Sequence, residues 1–521
     1  MIPFTAPLED ITFSLEHVAG ADQLPGYDTE LYSEIGAHFA AFAEGVLAPL
    51  NQIGDEQGAR LIDGRVQMPD GFGDAYAQFC EQGWPGLTAP EDYGGQELGG
   101  IAFAIVSEIF AGANHSMEMV CGTVPGAIRC IVAHGTDQQK EEFLPPLTSG
   151  EWLATMALTE PGAGSDLGRI KCKATRDGND WVLSGEKIFI SGGDQDMSDS
   201  ILHLVLARSS GGGLGGLSLF LCRSDLADGT RNSVQVARIE EKMGLHASPT
   251  CQMVFDNARA ELIGVEGQGL AAMFSMMNHM RISVSLQGPA HAARATAIAR
   301  AYAADRIQGK DTPIAQHPDV ARMLDEMDLR TVGARGIAHL ALALLEGGQD
   351  AELVELLTPI AKYFSSETAS EAADMGIQVL GGYGFLEEYG LSQVLRDARI
   401  CRIYEGTSGI HALSLATRMV RLNEPLAALD RFASGCADVA EYLDQWRAAW
   451  NDLKAMKDTR PVADAFMRLT AELVHQIVWS RISANADAHP DPERMRRLAQ
   501  RAQARFPVAL AQFGAEKSLV G

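Results

Sequence analysis

The run Ile403-Tyr404-Glu405-Gly406-Thr407-Ser408 sets one carboxylate beside a glycine. A residue without Cβ lets another molecule approach the backbone closely. Glu405 could therefore act over a narrow space, as a base that removes a proton from carbon next to a carbonyl. Taken alone, a Glu-Gly-Thr is ordinarily a surface or ion-paired carboxylate. Three further segments change that reading. In Leu158-Thr159-Glu160-Pro161-Gly162-Ala163-Gly164-Ser165-Asp166 the turn leaves backbone donors free, and Thr159 and Ser165 add hydroxyls, a set suited to a ring edge and a pyrophosphate. Gly185-Glu186-Lys187-Ile188-Phe189-Ile190-Ser191-Gly192-Gly193 reads as a strand and its turn, with Phe189 able to cover a planar ring and Ser191 able to hydrogen-bond it. In Gln378-Val379-Leu380-Gly381-Gly382-Tyr383-Gly384 the glycine pair again permits close approach, and upstream Arg306 has the planar fork that fits phosphate.

The elements that must position these groups change period twice. From about Leu31 to Ser149, apolar residues such as Ile101, Ala104, Ile105, Ile109 and Phe110 recur at helical spacing, broken at Pro85, Pro90, Pro125 and Pro145-Pro146. From about Thr159 to Ile263 short alternating runs predict a β-domain, with Gly211 to Gly216 as a loop at its rim. Leu270 to Asp311, Pro318 to Glu346, Ala351 to Met375 and Ile410 to Met419 predict a helical bundle, and further helix follows from about Pro425. The cluster Arg494-Met495-Arg496-Arg497 reads as a solvated helix face, and Met273, Met276, Met277 and Met280 as core.

A chain of 521 residues with 46% hydrophobic and 21% charged residues has globular composition and room for several domains around a buried cofactor. Its net charge of −26 repels phosphate backbones and anionic surfaces, which argues against nucleic acid and membrane partners. The eight cysteines lack metal-ligand spacing and read as reduced thiols. The start, Met1-Ile2-Pro3-Phe4 onward, lacks a basic stretch before an apolar run, and no apolar run is long enough for a bilayer span. These features predict a cytoplasmic protein.

Together the four motif segments resemble the acyl-CoA dehydrogenase family, and the order helical unit, β-domain, helical bundle is that family's order. The resemblance implies an α+β fold: an N-terminal α-helical domain at 31–155, a middle β-domain at 156–265, a C-terminal helical bundle at 266–420 and an additional helical extension at 421–521. It implies FAD as cofactor and no metal. By position, Met156, Leu158 and Thr159 would lie along the flavin, Gly164 and Ser165 near phosphate or the CoA chain, and Phe189, Ile190 and Ser191 at the ring. Arg306, Gln308, Gln378, Gly381 and Gly382 would contact the phosphate and adenosine portion, partly across a subunit interface, and Thr407 would also touch cofactor. Glu405 would be the base, with Ser165, Asn278, Arg281 and Gly406 on the substrate.

The implied reaction is α,β-dehydrogenation of an acyl-CoA thioester to the trans-2-enoyl-CoA, with electrons passed to an electron-transferring flavoprotein, in a homodimer or homotetramer. An acyl-CoA oxidase would share the motifs, and a flavin-retaining relative that binds nucleic acid is opposed by net charge. Gln308-Gly309-Lys310-Asp311, His317-Pro318-Asp319-Val320 and Glu241 to Thr250 resemble a subgroup with an extra C-terminal helical domain. That subgroup includes 3-(methylthio)propionyl-CoA dehydrogenases and several fatty acyl-CoA dehydrogenases. Three positions depart from the family pattern: Phe189 stands where tryptophan is common, His411 where glutamine is common, and Gly409 replaces a polar residue.

Overall fold

A computed structural model describes residues 2–520 except Asn179, Lys310 and Gln349, so Met1 and Lys310 of the segments quoted above lie outside the described residues. The chain separates into two compact units. One is Phe42–Phe103 with Ala113–Met280, and the other is Met1–Ala41, Ala104–Gly112 and Arg281–Gly521.

The first unit is built on a seven-stranded sheet. Its strands run Trp152–Ala157, Ser200–Arg208, Lys173–Asp177, Asp180–Ser191, Thr250–Ile263 and Leu217–Arg223, with Val234–Ile239 paired to Thr250–Ile263. Leu217–Arg223 also pairs antiparallel with Ser200–Arg208, which closes the strand path on itself. Ser200–Arg208 is buried along almost its whole length, as its apolar run, interrupted only by His203, requires of a strand covered on both faces. Leu183, Ile190, Val205, Phe220, Cys222 and Phe255 fill the core. The first strand starts at Trp152, earlier than the change of period near Thr159 suggested. Before it lie Phe72–Glu81, Thr123–His134 and Asp137–Ser149. The last is started by a capping box in which Thr136 and Gln139 satisfy each other's backbone N–H. The expected all-helical stretch also contains a hairpin, Arg60–Ile62 with Arg65–Gln67, turned through Asp63 and Gly64 at φ 50° and 79°. That Asp-Gly pair is its sequence signal. Met273, Met276, Met277 and Met280 are buried, as expected of core.

The second unit is a helical bundle that does not end at residue 420. Pro318–Glu346, Ala351–Leu380 and Ser408–Thr417 share one apolar core with Ala440–Ala455, Ala463–Ala484 and Arg505–Val520, while Gly269–Asp305 packs Ala292, Ile298 and Ala299 into a second cluster with Met327 and Leu380. Leu340, Ile360 and Leu415 belong to the same cluster as Trp446, Trp450, Phe466 and Phe506. Full burial of a side chain the size of Phe466 stabilises by about 1.5–3 kcal/mol. Two glycines bring the extension in close: a Cβ on Gly333 would lie 2.2 Å from His475 and one on Gly336 2.5 Å from Val478. A third, Gly288, sits against the Ser365 backbone, where a Cβ would come within 2.5 Å.

Arg494 corrects the expectation of a solvated helix face. Its guanidinium donates to Asp10 at 2.7 Å and to Asp328 at 2.7 Å. Asp10 also takes His489 at 2.9 Å and Arg335 at 3.3 Å, and Arg335 donates to Glu108 at 2.8 Å. Arg496 and Arg497 do remain largely exposed. Burial opposes ionisation of Asp10 and Glu108, but the histidine and arginine partners outweigh it and hold both carboxyls below their ordinary range. Among the described residues all eight cysteines are free thiols, and no single helix is long and apolar enough to cross a membrane.

Candidate active site

Glu405 stands on a loop between the short 3-10 turn Arg399–Arg402 and the helix Ser408–Thr417. The chain reverses sharply here, with Glu405 at φ 52° and Gly406 at φ 96°. Only glycine adopts the latter without strain, and a non-glycine residue at the former is a strained position of the kind that gathers at functional sites. A Cβ on Gly406 would also come within 2.9 Å of His411 Nε2. The helix begins where the Thr407 hydroxyl accepts from Ile410 N at 3.2 Å, so that side chain caps the helix.

Both flanks of Glu405 are tied to the helix Ala351–Leu380. Glu367 accepts from Arg402 Nε at 2.8 Å and from the Ser408 hydroxyl at 2.8 Å. Lys362 Nζ donates to the Gly406 carbonyl at 2.6 Å. Tyr404 donates its hydroxyl to Gln287. The Glu405 carboxyl keeps one oxygen open: Oε2 is sealed from solvent and takes no hydrogen bond from the described residues. Burial pushes the Glu405 carboxyl up to about 7, with the Arg281 and Lys362 cations pulling the other way. His411, beneath the loop, is pushed by burial down to about 3 and stays neutral. A carboxylate near 7 with an open oxygen is matched to taking a proton from a weak carbon acid at neutral pH.

The expected phosphate and adenosine residues come together in the same unit. Arg306, Gln308, Gln378, Gly381 and Gly382 line one cavity of about 540 Å³ with Tyr302, His317 and Tyr383. Arg306 lies over the Tyr383 ring at 5.4 Å, and its Nε is buried without a partner among the described residues. Neither Gly381 nor Gly382 has an atom within 4 Å of where a Cβ would stand. A buried spare guanidinium donor beside an open backbone face fits a phosphate.

In the sheet unit, Met156, Leu158 and Thr159 are half-buried, while Thr155, Ala157 and Glu160 are buried. The turn after them is stapled by Lys187, whose Nζ bonds Glu160 at 2.9 Å, Leu158 O at 3.0 Å and Leu206 O at 2.7 Å. Glu160 also accepts from the Lys171 and Cys172 backbones at 2.7 and 2.9 Å. The strand Asp180–Ser191 slips register against Thr250–Ile263 between Lys187 and Ile190. That bulge turns Phe189 to φ 59° and leaves its ring 60% exposed. An aromatic ring held outward at a bulge fits the face of a flavin, and Ser191 follows it, half-buried. Ile190 packs into the sheet core, so its side chain is unavailable and only its backbone could meet a ligand. Gly164 and Ser165 lie exposed on the turn. Asn278, exposed, and Arg281, half-buried, belong to the helix Gly269–Asp305.

Lys187, Lys362 and Glu367 carry no motif of their own in the sequence. The available signal was a charged residue at a core-facing position, as in Ile360-Ala361-Lys362-Tyr363-Phe364.

Comparison with known proteins gives the following matches. Residues 29–151, 155–258 and 267–420 match, in order, the N-terminal, middle and C-terminal domains of acyl-CoA dehydrogenase. The chain is 39% identical over 524 aligned residues to the 3-methylmercaptopropionyl-CoA dehydrogenase of Ruegeria pomeroyi, covering 94% of this chain and 86% of that protein. It is 31% identical over 490 aligned residues to the broad-specificity linear acyl-CoA dehydrogenase FadE5 of Mycobacterium tuberculosis, covering 85% and 79%. The fold of an acyl-CoA dehydrogenase from Bacillus anthracis, solved as a complex with FAD, covers 97% of this chain and 90% of its own at a TM-score of 0.77 and 24% identity.

Proposed function

Because this chain belongs to the acyl-CoA dehydrogenase family, we propose that it is an FAD-dependent enzyme that dehydrogenates an acyl-CoA thioester to the trans-2-enoyl-CoA with Glu405 as its base. The observation that carries the role of Glu405 is its buried, unsaturated carboxyl, raised to about 7 between two cations.

FAD, when bound, supplies the two-electron sink for the hydride that leaves the β-carbon. The chain's own residues bind, orient and move the proton. Phe189 would cover the ring, Ser191, Thr159 and Ser165 would offer hydroxyls, and Arg306, Gln308 and Gln378 would hold the phosphate and adenosine end. Arg281 faces Glu405 and, as a cation, stabilises the ionised base before reaction. Glu405 takes the α-proton at its open oxygen and becomes a neutral acid, which relieves the cost of keeping a carboxylate in a buried site. The reduced enzyme passes electrons to an electron-transferring flavoprotein and works as a homodimer or homotetramer.

The acyl tail is linear, either aliphatic or a thioether, in keeping with the relatives that match over the extension as well as the bundle. Each methylene buried in a fitting pocket contributes about 0.8 kcal/mol. Activity with a dye acceptor should therefore rise from butyryl- to longer acyl-CoAs until the pocket is filled and then fall. The purified protein is expected to be yellow with about one FAD per chain. Folded protein that neither retains nor takes up FAD, or that bleaches with none of butyryl-, octanoyl-, palmitoyl- and 3-(methylthio)propionyl-CoA, contradicts the reading.

A further inference from the structure

Lys362 is a fully buried lysine in an apolar stretch of the helix Ala351–Leu380. An ammonium taken out of water is unfavourable by several kcal/mol unless bonds and opposite charge replace the solvent. Its bond goes to one atom with a special place in the chain, the carbonyl of Gly406, at 2.6 Å. That carbonyl follows Glu405 directly, on the backbone reversal at φ 52° and 96°. One and a half turns further along the same helix, Glu367 grips Arg402 and Ser408, the residues on either side of the reversal. One helix thus fixes the loop at residues 402, 406 and 408, while the Glu405 carboxyl between them keeps an oxygen free.

We propose that Lys362 is a positioning residue for the dehydrogenation: its ammonium holds the Gly406 carbonyl, fixing the backbone on which Glu405 stands, and supplies a nearby positive charge that keeps this buried base ionisable. The proposal rests on the assignment of Glu405 as base.

The charged and titratable groups facing Lys362 are Cys401, Glu405, Glu367 and Arg281, together with His411, which stays neutral. Burial brings the ammonium down to about 8, so at neutral pH it is mostly the cation. Glu405 is faced by Arg281 and Lys362, and both lower its pKa against the effect of burial. Removing the Lys362 charge leaves burial less opposed, so the Glu405 pKa rises and the fraction of ionised base at a given pH falls. The acid limb of the rate profile should then move to higher pH. A lysine that only filled space or satisfied a carbonyl would not move it.

The test uses the FAD-loaded enzyme and octanoyl-CoA, with the limiting rate of anaerobic flavin reduction measured by stopped flow from about pH 6 to about pH 9. Lys362→Met removes bond and charge, Lys362→Gln keeps an amide donor without charge, and Lys362→Arg keeps the charge. In the Met and Gln variants the acid limb should shift upward by at least about half a pH unit, with a rate loss at neutral pH of at least about twofold that shrinks as pH rises. Octanoyl-CoA binding should stay within about threefold, so that the loss falls on the rate constant. Lys362→Arg should keep the limb where the native protein has it. A limb unmoved in either neutral variant, or a loss equal at every pH, overturns the proposal. If neither neutral variant keeps FAD, Lys362→Arg decides, since a limb displaced while the charge is retained also overturns it. Failure of the base assignment looks different: Glu405→Gln would bleach at a near-native rate whatever stood at 362.

Discussion

Gly406 lies directly over His411, so close that a Cβ on the glycine would stand 2.9 Å from the imidazole Nε2. The histidine is buried and neutral, and it forms a floor beneath the loop that carries Glu405. Gly406→Ala meets two obstacles at once, the contact with His411 and the strain of a side chain at φ 96°. The loop must shift to relieve them, and a displacement of about 1 Å at a reacting group costs on the order of 10²-fold in rate. Flavin reduction by octanoyl-CoA should slow by at least about tenfold in this variant. FAD content, measured by absorbance after release, should be unchanged, and a near-native reduction rate would show that the loop tolerates the shift.

Phe189 is held outward by the bulge, in contact with solvent over most of its ring. If that ring covers a flavin, Phe189→Ala should weaken FAD binding by roughly tenfold, about 1.4 kcal/mol, the scale of a stacked aromatic pair. Lys187 and Glu160 are untouched by the change, so the sheet should melt as before. Titration of apoprotein with FAD, followed by fluorescence quenching, checks this, and unchanged affinity would remove Phe189 from the cofactor site.

Arg335 is fully buried between Glu108 and Asp10. Arg335→Met leaves both carboxylates without their central cation, and breaking a buried pair from one side costs about 3–5 kcal/mol. Adding Glu108→Gln should return part of that loss. The carboxyls of Asp10, Glu108 and Glu472 are held below the ordinary values of 3.8 and 4.5 by arginine and histidine neighbours. Their contribution to stability is complete above those values and is lost as pH falls below them toward the folded-state pKa values. Acid unfolding followed by circular dichroism should begin below about pH 4.5 in the native protein and at higher pH in Arg335→Met. Coincident acid profiles would contradict the account of this network.

Much of this was legible in the sequence, where local chemistry decided it. Pro318 and Gly347 bound the helix Pro318–Glu346, and the apolar period between them left little choice. The helix Ala351–Leu380 runs five residues past the expected Met375, up to the left-handed Gly381. The helix Gly269–Asp305 stops short of the expected Asp311 because Ile307–Gln308 pairs with Thr312–Pro313. The motif segments pointed to the Glu405 loop and to the residues that line the cavity around Arg306, because glycine and proline announce turns. What stayed hidden depends on partners distant in the chain. Arg494 and Asp10 meet across 484 positions, and no pattern around either announces the other. Lys362 and Gly406 are 44 positions apart, and only the folded bundle brings the ammonium to the base loop. The extension looked like an appendage, yet Trp446 and Phe466 share one core with Ile360 and Leu415.

Transfer of the α-proton to Glu405 is open to direct measurement. Glu405→Gln keeps the shape of the side chain and removes its ability to accept a proton at neutral pH. Mixed anaerobically with octanoyl-CoA, the FAD-loaded variant should lose its flavin absorbance at least about 10²-fold more slowly than the native enzyme, with FAD content unchanged. Bleaching at a near-native rate would contradict the claim and move the base to another residue.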